Sequence, residues 1–122
     1  MVNVILVDSS VWIDHFKKVN QMLVEMLIDG EVMTHSMIVG ELACGSFNPR
    51  QEVIKLLRLL PQAEEVRSNE ALVFIETHKC YGRGVGWVDV NLLASCKLSR
   101  CRLWTLDKNL KKIAKELDIA GG

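Results

Sequence analysis

Four carboxylates stand at or near the ends of apolar segments, where residues that do chemistry are commonly placed. Asp8 follows the run "VILV", and Asp107 comes two residues after "RLWT". Glu41 lies inside the apolar segment "SMIVGELACG", and Asp89 comes just after the glycine-rich stretch "GRGVGW". Clustered carboxylates are stable chiefly when they hold a hard divalent cation such as Mg²⁺ or Mn²⁺. Such a site suits metal-assisted hydrolysis of a phosphodiester bond.

Each acid also has an ordinary structural interpretation. Asp89 and Asp107 can cap the helices predicted to follow them, which is a common role for aspartate. Glu41 is costly to bury unpaired among apolar neighbours, so we expect a partner to compensate it. Two acids after strands and two near helix starts can nevertheless meet at one edge of a parallel sheet, which favours a joint function.

The segments that position these acids alternate between strand and helix patterns. A continuous Val/Ile/Leu run such as "VILV" is typical of a strand buried on both faces of a parallel sheet. Further strands are predicted for "EVMT", residues 63–66 and "CRLWT", and helices for residues 11–17, 21–29, from 36 onward, 69–81, 88–98 and the C-terminal segment. Strands separated by helices predict an α/β fold, a central parallel sheet flanked by helices.

The segment "NPRQEVIKLLRLL" carries the clearest helix signals. Asn48 is predicted to be the N-cap and Pro49 to occupy the first helical position. The helical spacing predicts one apolar face, formed by Val53, Leu56, Leu57 and Leu60.

Length and composition indicate one domain. The chain has 122 residues, is 49% hydrophobic and contains no linker-like stretch, so we predict a single domain over residues 1–122. No apolar run approaches a membrane span or has the basic flank of a secretion signal, which favours a cytoplasmic protein. Cysteine and histidine spacings do not favour disulfides or a zinc site, so thiols and structural histidines are expected for Cys44, Cys80, Cys96, Cys101, His15, His35 and His78.

Basic residues concentrate in the C-terminal third. Between Lys79 and Lys115 there are nine Lys/Arg and two acids, although the whole chain has no net charge. This tract can face phosphates. The alternative is that its last lysines are only the solvated face of a helix whose core face is Leu110, Ile113, Ala114 and Leu117. The residues proposed to contact the phosphates of a substrate are Lys97, Arg100, Arg102, Lys108, Lys111 and Lys112.

Four segments together resemble the acidic motifs of PIN-domain ribonucleases: "VILVDSSVWIDHF", "MIVGELACG", "GVGWVDVNLLAS" and "LWTLDKNL". The third and fourth resemble those of VapC toxins from bacterial toxin–antitoxin pairs. By this resemblance the metal-site and catalytic residues are Asp8, Glu41, Asp89 and Asp107, with Ser9 and Thr105 as hydroxyl neighbours. It further implies a Mg²⁺- or Mn²⁺-dependent endoribonuclease that inhibits translation, a VapB-like antitoxin that covers the site, and a homodimer.

One position departs from the family pattern. Many members have a further acid and then Phe after the fourth aspartate, whereas this chain has Asn109 and Leu110. The fifth acidic contribution is therefore missing, although the amide oxygen of Asn109 can still hold a water or a metal. The sequence therefore supplies fewer acidic ligands for a second metal position than that pattern does.

Other classes explain less of the sequence. The "GRGVGW" stretch imitates a dinucleotide-binding pattern but follows a predicted helix rather than a strand. A phosphate-receiving switch domain needs a second acid beside Asp8, where this chain has Ser9 and Ser10. The stronger alternative is an inactive PIN-fold module kept for dimerisation or partner binding, which has no need of four intact acids. The tryptophans, Trp12, Trp87 and Trp104, are expected in the core or an interface rather than stacked on bases.

Overall fold

A parallel sheet lies at the centre of the computed structural model, which describes residues 4–122. Its three strands are β1 (Ile5–Val7), β2 (Val32–Met33) and β3 (Arg102–Trp104), in the order β2-β1-β3. Ile5 of β1 pairs with Val32 on one side and with Arg102 on the other. Both partners run parallel to β1, and Leu6 and Val7 are fully buried. The predicted α/β fold with a central parallel sheet is confirmed.

Seven helices of the described residues surround this sheet. Their bounds are α1 (Ser9–Lys17), α2 (Gln21–Ile28), α3 (Ser36–Ala43), α4 (Arg50–Leu59), α5 (Ser68–His78), α6 (Trp87–Ser99) and α7 (Lys108–Glu116). The most buried of them is α6, in which residues 90–96 are all buried. It packs between α5 and β3 and so forms the centre of the core.

Local side-chain caps fix where several helices begin. The Asn20 side chain accepts a hydrogen bond from Leu23 N at 3.1 Å and starts α2. His35 Nδ1 accepts one from Met37 N at 3.0 Å and starts α3. These contacts satisfy backbone donors that have no partner inside the helix. The expectation that His35 is structural is confirmed, since it is buried and also bonds Ser95 Oγ at 3.1 Å.

The strand predicted for residues 63–66 is wrong. Residues 63–66 form no strand, and the nearest pairing is an isolated bridge between Thr34, next to the end of β2, and Gln62. Beyond it, Glu64 N donates to Ser99 Oγ at 2.8 Å. A side chain takes the place of a strand neighbour there, so the ladder does not continue.

The predicted start of α4 is also wrong by about one residue. The helix begins at Arg50, its N-cap is Pro49, and Asn48 makes no capping hydrogen bond. Its apolar residues do not all face the core, because Leu57 is 1% exposed whereas Leu56 is 64% exposed. Together with α1 and α2, this helix borders an apolar groove of about 430 Å³ that includes Leu56, Leu59 and Trp12.

The predicted free thiols are confirmed. Cys80, Cys96 and Cys101 are buried, and Cys44 is exposed. Among the tryptophans, Trp12 and Trp104 are core residues, while Trp87 is 42% exposed. No helix among residues 4–122 is long and apolar enough to cross a membrane.

Candidate active site

Asp8 is fixed at the carboxyl edge of the sheet by two hydroxyl groups. It follows β1 directly, as Thr105 follows the adjacent parallel strand β3, so the two residues leave the sheet side by side. Asp8 Oδ2 accepts hydrogen bonds from Ser10 Oγ at 2.7 Å and from Thr105 Oγ1 at 2.8 Å. The Asp8 residue is 5% exposed. A charged acceptor makes such bonds strong, so the carboxylate is held in one orientation.

The same two hydroxyl groups connect Asp8 to the loop that carries Asp107. Asp107 N donates to Thr105 Oγ1 at 3.1 Å, and Leu106 N donates to Ser10 Oγ at 3.0 Å. Thr105 therefore has the position expected of a hydroxyl neighbour. Ser10 was not among the predicted site residues, although the signal was present in "DSS": a second hydroxyl two residues after the acid lies in the first turn of α1.

Asp107 also caps α7. Its Oδ1 accepts a hydrogen bond from Leu110 N at 3.0 Å, and the side chain is exposed. The capping interpretation is thus confirmed for Asp107, and the cap leaves its second oxygen available. Asp107 can therefore cap the helix and still offer an oxygen to a metal, because a cap uses only one carboxylate oxygen.

Asp89 is half-buried in the first turn of α6. Its Oδ2 accepts a hydrogen bond from Gly86 N at 3.1 Å, which closes the start of the helix. Burial raises the pKa of Asp89, the negative charges of Asp8 and Asp107 raise it further, and the Gly86 hydrogen bond opposes the rise. The charges show that Asp89 shares one electrostatic environment with those two acids.

Glu41 is not buried, contrary to expectation. It lies on the exposed face of α3, because Ile38 and Leu42 occupy the face that packs into the core. Its compensating partner is Ser9, whose Oγ donates to Glu41 Oε1 at 3.1 Å. Partial desolvation raises the pKa of Glu41, and the nearby charges of Asp8 and Asp89 raise it further, against the lowering effect of Ser9.

Each of the four carboxylates uses one oxygen for a structural hydrogen bond. The bonded atoms are Asp8 Oδ2, Glu41 Oε1, Asp89 Oδ2 and Asp107 Oδ1. The second oxygen of each accepts no hydrogen bond from the described residues. A carboxylate held through one oxygen can offer its open oxygen to Mg²⁺ or Mn²⁺, which prefer oxygen ligands.

The acids are neighbours without being a closed ligand set. Within residues 4–122, no three acidic, histidine or cysteine side chains lie close enough together to form a metal-binding group by themselves. The charges of Asp8 and Asp89 raise the pKa of Glu41, and those of Asp8 and Asp107 raise the pKa of Asp89, so these acids are close enough to interact. The donor chemistry therefore fits a hard cation, and metal coordination by these acids is a proposal.

The glycine-rich loop before Asp89 is tied to α7. Arg83 makes a two-bond ion pair with Glu116, with both N–O distances 2.7 Å. Gly84 has φ +79, and the Asn109 side chain lies where a Cβ on Gly84 would be. Asn109 thus contacts this loop, and the contact keeps the start of α6 beside the start of α7. Only glycine fits such a conformation and such a close approach.

Half of the predicted RNA-contacting residues lie away from the acids. Lys97 and Arg100 are at the far end of α6, roughly 12–17 Å from Asp89 along the axis. Lys97 Nζ donates to the Leu117 carbonyl at 2.8 Å, and Arg102 Nη1 donates to that of Ala120 at 3.0 Å. These two side chains fasten the C-terminal segment. Their contact with RNA stays a prediction.

The other half lie near the acids on α7. Lys108 follows Asp107 directly, and Lys111 and Lys112 are exposed within the next two turns. The opposite face of α7 is the core face that periodicity predicted, with Leu110, Ile113 and Ala114 buried. A core-facing helix can still present its lysines to phosphate, so both interpretations of the basic tract remain compatible with this geometry.

Comparison with known proteins identifies the class to which this fold and site belong. A family model described as the PIN domain matches residues 5–116, and the chain belongs to the PIN-domain family. Ribonuclease VapC32 from two strains of Mycobacterium tuberculosis, CDC 1551 / Oshkosh and H37Rv, is 44% identical over 117 residues, covering 95% of this chain and 94% of the relative. The resemblance to VapC-type PIN ribonucleases is confirmed at this level.

A solved structure supports the fold independently. The crystal structure of PAE2754 from Pyrobaculum aerophilum matches with a TM-score of 0.67 and covers 99% of this chain and 90% of that one. The sequence identity is 16%, so this likeness concerns the fold alone.

Proposed function

We propose that this protein is a VapC-like toxin, an endoribonuclease that hydrolyses RNA phosphodiester bonds with Mg²⁺ or Mn²⁺ at the four acids. The observation that supports the proposal is the hydrogen bonding of Asp8, Glu41, Asp89 and Asp107, each of which is held through one oxygen and open at the other. Membership of a family whose relatives include a VapC ribonuclease supports the same activity.

The residues of the site have distinct tasks in this proposal. Asp8 is the most rigid ligand, because two hydroxyl groups fix its orientation. Glu41 is the most adjustable, since it is exposed and held only by Ser9. When bound, the cation activates water and stabilises the charge that develops on the phosphate. The lysines at the start of α7 attract the RNA backbone toward the acids.

The partners we propose are a VapB-like antitoxin and a second copy of this chain. The apolar groove of α1, α2 and α4 is the surface assigned to the antitoxin. Leu56 and Leu59 are 64% and 77% exposed there, and the buried Trp12 Nε1 has no hydrogen-bond partner among the described residues. An apolar segment of the antitoxin that offers a carbonyl oxygen would cover the leucines and pair with the Trp12 N–H.

Leu59→Glu is expected to weaken antitoxin binding at least tenfold without lowering cleavage by the free toxin.

The experiment that tests the activity is cleavage of structured RNA by the purified, metal-stripped protein, with chelator or with Mn²⁺. We expect cleavage only with Mn²⁺, and loss of most cleavage in Asp8→Asn, Glu41→Gln, Asp89→Asn and Asp107→Asn. These amides preserve shape and remove a negative ligand. Full activity in any two of the four variants contradicts the assignment. Inactivity of the wild type, combined with intact antitoxin binding, favours the alternative of a binding module.

A further inference from the structure

A second cavity adjoins the acids on the Glu41 side. Its volume is about 520 Å³, within the usual range for pockets that bind small molecules. It lies between the second half of α1, the end of α3 and the segment that follows α3. Glu41 belongs to its lining, so the cavity shares one residue with the candidate active site.

The lining combines a rigid apolar wall with polar groups of three kinds. Phe16 and Phe47 stack at 4.4 Å between ring centroids and 13° between planes, which stiffens the wall. Lys17, Ser46 and Asn48 supply a cation, a hydroxyl and an amide. All three are exposed, and none of their side chains makes a hydrogen bond or ion pair with another residue in the part of the chain that the structure describes.

These groups match the parts of a nucleotide. An amide can bond the donor and acceptor edge of a base in two places, a lysine attracts phosphate, and an apolar wall accepts the face of a base. The position matters as much as the chemistry. An RNA whose scissile phosphate lies at the acids must place its adjoining nucleotide beside them, and this cavity opens there.

We infer that the cavity binds the nucleotide adjoining the scissile phosphate, with Asn48 contacting the base edge and Lys17 its phosphate. The inference rests on the proposed function, and it makes Asn48 a determinant of which base is accepted next to the cut. A protein segment is the competing occupant. RNA is favoured because Lys17, which has no ion-pair partner among the described residues, lines the cavity together with Glu41, a proposed metal ligand. A polyanion complements both the lysine and a bound metal.

The experiment compares Asn48→Ala and Lys17→Ala with matched controls. Gln51→Ala removes a nearby exposed amide and Lys18→Ala removes the neighbouring lysine, and neither residue lines the cavity. The substrates are RNA hairpins carrying each of the four bases on either side of the cut, with Mn²⁺. Asn48→Ala is expected to reduce the preference at one flanking position by about tenfold. Lys17→Ala is expected to raise KM and lower the salt slope by about one.

A second measurement separates this inference from the proposed function. Binding of the same hairpins is followed by fluorescence anisotropy in chelator, where the proposed metal-dependent cleavage cannot occur. Base-dependent binding that needs Asn48 and Lys17 supports the cavity even if the wild type cleaves nothing. Cleavage with unchanged base preference and salt slope in both variants overturns the cavity and leaves the activity standing. Weaker antitoxin binding with unchanged RNA kinetics assigns the cavity to the protein partner and also overturns it.

Discussion

Replacing Thr105 by valine removes one hydroxyl group from the site and changes almost nothing else. Thr105 is 2% exposed, and valine has nearly the same shape. The hydroxyl donates to Asp8 Oδ2 at 2.8 Å and accepts from Asp107 N at 3.1 Å. The substitution therefore releases the carboxylate of Asp8 on one side and the backbone of Asp107 on the other.

The expected loss of stability follows from these two contacts. A hydrogen bond to a charged group contributes about 1.5–3 kcal/mol, and Asp8 keeps only the bond from Ser10. Asp107 is exposed, so water replaces the acceptor that its N–H loses. We expect a free energy of unfolding lower by about 2 kcal/mol and a melting temperature lower by roughly 6–10 °C. Cleavage is expected to fall by about tenfold, because the ligand is no longer held in one orientation.

A double-mutant cycle in chelator tests whether Thr105 stabilises the charged carboxylate of Asp8. Urea unfolding is measured for the wild type, Thr105→Val, Asp8→Asn and the double variant, with Thr105→Ser as the control that restores the hydroxyl. Since the bond is strong because Asp8 is charged, Thr105→Val should cost about 1 kcal/mol less in the Asp8→Asn background. If Thr105→Val lowers the free energy of unfolding by amounts that agree within about 0.5 kcal/mol in the two backgrounds, Thr105 and Asp8 are not energetically coupled.

Three further predictions concern pH, metal and salt. Burial lowers the pKa of His35 from its ordinary value of 6.5, so the unfolded chain binds more protons than the folded protein as the pH falls below that value. The free energy of unfolding should therefore fall from pH 7.5 to 5.5. The fall should be smaller in His35→Asn, which keeps an acceptor for the α3 cap. Equal pH dependence in the two proteins contradicts this. In chelator, Asp89→Asn should melt at or above the temperature of the wild type, because it removes a carboxylate whose pKa is raised by burial and by neighbouring acids. Mn²⁺ should raise the melting temperature of the wild type more than that of Asp89→Asn. Equal metal-induced shifts exclude Asp89 as a ligand. Replacing Lys108 and Lys111 by glutamine should lower the salt slope of RNA binding by about two, and an unchanged slope restores the solvated-face interpretation.

Sequence patterns are sufficient to predict the positions of residues that follow buried strands. Asp8 could be placed at the sheet edge because "VILV" is too apolar for anything but a central strand, and β1 is that strand. The cap positions of Asp107 and Asp89 were likewise foreseeable, since capping depends on residues only three positions away. Such local rules need no knowledge of the tertiary fold.

Long-range geometry could not be obtained in the same way. The exposed position of Glu41 depends on how α3 rotates to bury Ile38 and Leu42, which is decided by packing. The role of Ser10 depends on Thr105 and Leu106, about 95 residues away along the chain. Residues 63–66 have a strand pattern, but pairing needs a neighbouring edge, and the chain there forms only one isolated bridge, between Thr34 and Gln62.

Mn²⁺ anomalous diffraction tests whether the open oxygens of the four acids share a divalent cation. Crystals of the wild type and of Asp8→Asn are soaked in Mn²⁺ and measured near the manganese absorption edge. We expect a peak in the wild type within about 2.5 Å of Asp8 Oδ1 and of at least one other open carboxylate oxygen, and a weak or absent peak in Asp8→Asn. A wild-type crystal with no peak at this edge, or a peak of equal height in Asp8→Asn, contradicts this expectation.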